Sequence, residues 1–140
     1  MTFRQLSDIV LRQTPLAMSP ETSVKEACRL MRDRSVGAVL VTDPHDRLLG
    51  IFTGRDAVAR VLAEGKPAEK TKLSEVMTPS PQTMPPGTNA IEALRLMQDC
   101  GCRHVPVVAE GKVVGVVSRG DFRGLELDRL DEETGLWERI

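Results

Sequence analysis

The sequence predicts an α/β (α+β) fold in which one strand-helix-strand-strand-helix unit occurs twice, and three observations carry that expectation. Met18 to Met31 align without a gap on Met84 to Met97, displaced by 66 positions. Gly50-Ile51-Phe52-Thr53-Gly54-Arg55-Asp56 is answered by Gly115-Val116-Val117-Ser118-Arg119-Gly120-Asp121, displaced by 65 because the first copy has one more residue in the preceding turn. Between these phrases, apolar residues at helical spacing give way to short continuous apolar runs in both copies. A repeat of about sixty residues is too small to bury a sufficient core alone, so the twins must dock, and the seam between them is a natural place for a ligand.

Taken in order, residues 1–13 read as a lead-in helix, 14–64 as the first repeat, 65–77 as a linker, 78–127 as the second repeat and 128–140 as a tail. Val24, Ala27, Cys28, Leu30 and Met31 recur at helical spacing after the N-cap candidates Thr22 and Ser23. Ile91, Ala93, Leu94, Leu96 and Met97 do so after Thr88 and Asn89. Val36–Val41 and Val105–Val108 suit buried strands, each followed by a turn, Asp43-Pro44-His45-Asp46 or Glu110-Gly111-Lys112, and a return strand, Leu48–Phe52 or Val113–Val117. Asp56 and Asp121 then stand near the start of helices expected to run to Glu64 and Leu127. Gly65-Lys66-Pro67-Ala68 punctuates the linker, and Leu73–Pro79 leads into the second copy. The acidic tail with Trp137 reads as a helical extension laid over the molecule or a dimer partner.

The chain of 140 residues suits one compact domain, with 41% hydrophobic residues to fill its core. Nineteen basic and 20 acidic residues give a net charge of −1, without the basic footprint of a nucleic-acid binder. The N-terminus has no apolar core region for a signal peptide and no stretch reaches membrane-spanning length, so a cytoplasmic protein is expected. Three cysteines, Cys28, Cys100 and Cys102, form no even disulfide framework of the secreted kind. Cys100, Cys102 and His104 could share a face, but a structural zinc needs a fourth ligand, so no metal is expected. Nor does any nucleophile-base pair emerge, Cys102 with His104 being the nearest approach; the chain reads as no enzyme.

The chemistry concentrates in the paired Gly-apolar-apolar-Thr/Ser-x-x-Asp phrases. The glycine permits tight packing or an unusual backbone angle. The hydroxyl of Thr53 or Ser118 sits beside unpaired amides at a helix N-terminus, where a phosphate is favoured. Three residues on, the carboxylate of Asp56 or Asp121 only accepts hydrogen bonds and could take both vicinal hydroxyls of a ribose. For one copy alone a plain helix cap is the better account; repetition at the same spacing favours binding.

These residues, with Val39-Leu40-Val41, Val105-Pro106-Val107-Val108 and Val76-Met77-Thr78-Pro79, resemble a tandem pair of cystathionine-beta-synthase (CBS) domains, a Bateman module, from Thr14 to about Leu127. The resemblance implies two interlocked repeats related by a pseudo-two-fold axis, with adenosine-containing ligands in two clefts. It implies that Thr53, Arg55 and Asp56 face Ser80, Pro81, Cys102, Arg103 and His104, and that Ser118, Arg119 and Asp121 face Thr14, Pro15, Val36, Gly37 and Ala38. The junction backbone would bond the adenine edge. Arg103 and His104 make the Asp56 pocket the better expected nucleotide site, since charge-assisted bonds to phosphate are strong, whereas the first copy has Gly37 and Ala38 there. Arg55 and Arg119 serve equally well as solvated first-turn cations.

The expected function is regulatory sensing of an adenine nucleotide (AMP, ADP, ATP or a related adenosyl ligand), as in energy sensing, with no required cofactor. An unidentified partner protein would be regulated in trans. A homodimer is expected through Val58, Val61, Leu62, Leu125 and Leu127. The alternatives are a structural dimerisation module with vestigial clefts, an enzyme, and a nucleic-acid or nucleoside-derivative binder.

Overall fold

The computed structural model describes residues 4–122. In chain order its elements are α1 (Leu6–Val10), β1 (Ala17–Met18), α2 (Val24–Arg34), β2 (Ala38–Thr42), β3 (Leu48–Thr53), α3 (Gly54–Asp56) continuing into a π-helical turn (Ala57–Leu62), α4 (Leu73–Val76), β4 (Thr78–Pro79), α5 (Ala90–Cys100), β5 (His104–Ala109), β6 (Lys112–Ser118) and a 3-10 turn (Arg119–Asp121). This is the mixed helix and strand content expected. The described residues divide into two compact units: a first unit of residues 14–81 with 110–113, and a second of 4–13, 82–109 and 114–122.

In the first unit the strands order as β1-β2-β3-β4. β1 runs parallel to β2 with Met18 beside Val41, and β2 pairs antiparallel with β3, setting Ala38 opposite Thr53. Every residue of β2 is buried, as a continuous apolar run requires. Ser23 caps α2 by accepting the Glu26 amide at 3.2 Å, and the helix lays Val24, Ala27 and Met31 onto Val39, Val41 and Phe52. In the second unit α5 buries Ile91, Leu94 and Met97 against Val105, Val107 and Val117. β5 and β6 form a hairpin whose turn residues, Glu110 and Gly111, both have positive φ (53° and 78°), matching strand twist. Met84 bridges Val107 in parallel, the counterpart of Met18 beside Val41.

Each unit takes its lead-in from before the other repeat. The Leu6 and Ser7 amides donate to the Thr88 and Pro86 carbonyls (2.9 and 2.8 Å), and the Ala90 amide donates to the Arg4 carbonyl at 2.7 Å. In the first unit Leu73 and Ser74 donate to Thr22 and Pro20 (2.9 and 3.0 Å), and Val24 to Thr71 (2.9 Å). Leu6 fills the second core; Leu73 and Val76 fill the first. The stretch 65–77 expected as a linker thus ends in a core element. Leu73 is fully apolar-packed, and burying such a side chain contributes roughly 1.5–3 kcal/mol, which a free linker would forgo.

Tight packing, not an unusual angle, accounts for the repeated glycines. A Cβ on Gly50 would meet Met77 Sδ at 2.5 Å and the Thr78 carbonyl oxygen at 2.8 Å; one on Gly115 would meet Val10 at 2.6 Å and Gln13 Oε1 at 2.9 Å. Both glycines admit a lead-in segment against a strand. The two return helices differ. After Asp56 the chain stays helical to Leu62, through the π turn. After Asp121 it does not: Phe122 is extended (φ −94°, ψ 138°) and buried in the second core, where the first copy has the small Ala57. The expected helix to Leu127, with Leu125, and the tail with Trp137 lie outside the described residues.

Candidate ligand-binding site

Each Gly-to-Asp phrase folds into a reciprocal cap. In the first unit the Thr53 amide donates to Asp56 Oδ2 at 3.0 Å, the Thr53 hydroxyl donates to the same oxygen at 3.2 Å, and the Asp56 amide donates back to Thr53 Oγ1 at 3.2 Å. In the second, the Ser118 amide and hydroxyl donate to Asp121 Oδ2 at 2.7 and 3.2 Å. The first turn amide is taken in both: Gly54 donates to the Gly37 carbonyl at 3.1 Å, and Arg119 to the Arg103 carbonyl at 2.9 Å. The amides offered to a phosphate by the sequence are therefore largely consumed by the fold. A phosphate would have to be met chiefly by side chains.

The caps also commit one carboxylate oxygen of each aspartate. Asp56 is buried and needs compensation; Arg60 supplies it, with Nε 3.5 Å from Oδ1, while its Nη1 donates to the Met77 carbonyl at 3.0 Å. Arg60 was not among the residues expected to matter. Its position four residues after Asp56 on a helix was the available signal. Asp121 is half-buried, and its carbonyl accepts from Arg4 Nη2 at 2.8 Å.

Within the first unit the structure gathers Thr53, Arg55 and Asp56 beside Gly37 and Ala38, through the Gly54 to Gly37 bond and the pairing of Ala38 with Thr53. Ser80 and Pro81 follow β4, which pairs with β3. The Ser80 amide donates to the Leu49 carbonyl at 3.1 Å, and its φ of 45° is left-handed, an uncommon state for a residue other than glycine. Thr14, Pro15 and Val36 belong to this unit, Thr14 and Val36 exposed. Within the second unit Ser118, Arg119 and Asp121 adjoin Arg103 and His104. Burial holds the His104 pKa below its usual value; the Asp121 charge opposes that shift and the Arg103 charge adds to it. His104 is thus neutral near pH 7.

Cys100 and Cys102 are bonded to each other, their Cα atoms 5.3 Å apart, so two of the three thiols do pair. Cys28 remains a free, half-buried thiol whose pKa burial raises. No three His, Cys, Asp or Glu side chains gather as a cation site among the described residues. No helix among them is long and apolar enough to cross a membrane. Of the expected dimer contacts, Val58 and Leu62 are exposed (61% and 72%), while Val61 is in the core and unavailable to a partner.

A family model described as the CBS domain matches residues 6–63 and again 73–128. The chain belongs to the CBS domain family, as a tandem pair. Among relatives, CBSCBSPB2 of Arabidopsis thaliana is 43% identical over 102 residues, which is 73% of this chain and 19% of that protein. The mitochondrial CBSX3 of the same plant is 33% identical over 105 residues, 72% of this chain and 51% of that protein. This CBS pair thus spans about a fifth to a half of the length of these relatives. Among solved structures, the CBS domain pair of MJ0100, in complex with 5′-methylthioadenosine and S-adenosyl-L-methionine, is 26% identical with a TM-score of 0.76, covering 91% of this chain and 98% of that one. PAE2072 of Pyrobaculum aerophilum, complexed with AMP, has a TM-score of 0.81 at 22% identity over 92% of this chain and 99% of its own, a likeness of fold alone.

Proposed function

We propose that this CBS pair is a non-catalytic regulatory module that binds an adenosyl ligand, an adenine nucleotide foremost, and acts on another protein in trans. The observation that carries the reading is the same hydroxyl-carboxylate turn built twice, each with its first amide anchored on the helix-to-strand junction of its own repeat (3.1 and 2.9 Å). Such a turn holds a carboxylate ready for ribose hydroxyls beside backbone suited to a base edge. The MJ0100 complex supports an adenosyl ligand for a pair of this fold. Ser80 with Pro81, and Thr14 with Pro15, complete the proposed set. Because Arg103 and His104 adjoin the Asp121 turn within one unit, we rank Asp121 above Asp56 for a phosphorylated ligand. This reverses the order that the sequence suggests.

The test is a thermal-shift and calorimetry panel of AMP, ADP, ATP, S-adenosylmethionine, NAD and GTP. A ligand at a hundred times its Kd stabilises the fold by about 2.7 kcal/mol, a shift of several degrees in a domain this size. Adenine compounds should shift melting and Asp121→Ala should remove the shift. The second reading, a structural dimerisation module, draws on the exposed Val58 and Leu62. It predicts no shift with any nucleotide, and a dimer that Val58→Glu with Leu62→Glu dissociates in sedimentation.

A further inference from the structure

The two repeats end their first long helix at equivalent positions but close it differently. In the first, Ser35 is left-handed (φ 54°) and the Val36 amide donates to the Met31 carbonyl at 3.0 Å, an ordinary helix-terminal closure. In the second, Gly101 is left-handed (φ 68°), and Cys100 and Cys102 stand where the first has Arg34 and Val36. The Cys102 amide donates to Cys100 Sγ at 3.3 Å instead of crossing the turn. The Met97 carbonyl, equivalent to that of Met31, lies 3.8 Å from Cys100 Sγ.

We propose that Cys100 and Cys102 form a thiol-disulfide exchange site, served by low-molecular-weight disulfides and dithiols, that switches this junction between two closures. In the bonded state the Cys102 amide rests on Cys100 Sγ. With the bond opened, it turns to the Met97 carbonyl and reproduces the closure of the first repeat. The Cα separation of 5.3 Å lies in the range of ordinary disulfides. Cys100 and Gly101 are exposed, so an attacking thiolate can approach the bridge from solvent. A bridge closing so short a loop constrains the unfolded chain little, which suits exchange better than stapling.

The step balances without further reagents. A thiolate of the dithiol attacks Cys100 Sγ, the sulfur-sulfur bond breaks, and the electron pair leaves on Cys102 Sγ, which takes a proton. The second thiolate of the reductant attacks its own sulfur in the mixed disulfide and releases Cys100 as a thiolate, which is protonated in turn. One protein disulfide becomes two thiols and the dithiol becomes a disulfide. In the reverse direction glutathione disulfide accepts both electrons and leaves as two thiols.

The switch has a neighbour to report to. Arg103 follows Cys102 directly, and its carbonyl holds the Arg119 amide at the head of the Ser118 to Asp121 turn. The inference does not rest on the identity of any ligand.

The experiment equilibrates the full chain with glutathione disulfide or with dithiothreitol, then alkylates it and weighs it. One alkylation after oxidation and three after reduction are expected, Cys28 being the thiol common to both; Cys28→Ser should give none and two. In 15N spectra, reduction should slow hydrogen exchange at Cys102 about tenfold and shift the Arg119 resonance reversibly. Three alkylations after glutathione disulfide treatment would overturn the site. An unchanged Cys102 amide between the two states would overturn the switch. Should Cys100→Ser, the variant locked open, fail to fold, the wild-type titration still decides both points.

Discussion

The chain leaves α2 through Arg34-Ser35-Val36-Gly37-Ala38 and leaves α5 through Cys100-Gly101-Cys102-Arg103-His104, on backbones that match down to the left-handed residue. Both junctions lend a carbonyl to the turn that follows β3 or β6. Their side chains have parted. After Arg34 the first offers only uncharged groups, Ser35 to Ala38, whereas the second carries a bonded cysteine pair, a guanidinium and an imidazole. The two junctions thus share a backbone course and differ in the side chains they carry.

The most damaging way to probe that comparison is through the cores beneath the turns. Phe122→Ala should cost about 3–5 kcal/mol in urea unfolding, since it empties a ring-sized space under the second turn. The equivalent Ala57 has nothing comparable to lose. Next come the glycines. Gly50→Ala and Gly115→Ala should each cost about 1–3 kcal/mol, with Gly50 the worse. Its clash includes the Thr78 carbonyl oxygen, which cannot step aside, whereas Gly115 meets side chains of Val10 and Gln13.

Binding should separate the copies more sharply than stability does. Asp121→Ala is expected to weaken an adenine nucleotide by tenfold or more in calorimetry, and Asp56→Ala by less, since Arg103 and His104 adjoin only the former within its own unit. Equal losses would dissolve that asymmetry. Removing the hydroxyls is gentler: Thr53→Ala and Ser118→Ala should each cost about 1 kcal/mol as lost caps.

The smallest effect is one of pH. His104 has its folded pKa depressed by burial, so the unfolded chain binds more protons in acid. Stability should be level above about pH 6.5, the unfolded value, and decline as the pH falls below it. His104→Gln should remove that decline. The first copy, with Ala38, has no equivalent.

How much of this was legible depended on how local each feature is. The repeat, the caps of α2 and the Thr53 and Ser118 turns are written in residues three or four apart, and the sequence shows them directly. The duplicated glycines announced a requirement, but choosing close approach over backbone angle needed Met77 and Val10, segments far along the chain. The docking of Leu73–Val76 on the first core is likewise a long-range choice that no periodicity in 65–77 reveals. Arg60 is legible only as an i,i+4 partner of Asp56, a spacing that many solvated helix pairs share without a buried carboxylate between them. The odd cysteine count spoke only against a secreted-type framework and left a single bridge undecided; left-handed Gly101 between Cys100 and Cys102 supplies the sharp turn at which they pair. Directly after Asp121 the copies part, Phe122 being extended and buried where the first copy continues helically through Ala57, a difference that the otherwise faithful repeat does not announce.

The crossed lead-ins carry a practical consequence for dividing the protein. A cut at Glu64, where the repeats part in sequence, would strip Leu73 and Val76 from the first core. A cut after Pro81 spares that core, because residues 14–81 run without interruption. The second unit has no such clean edge: its first helix is spliced from the far end of the chain, so any fragment beginning at residue 82 would arrive without Leu6 and Val10. Trimming from the N-terminus should therefore unsettle the distal repeat before the proximal one, and limited proteolysis near Gln13 would be felt about a hundred residues away, where Gln13 Oε1 accepts the Val116 amide.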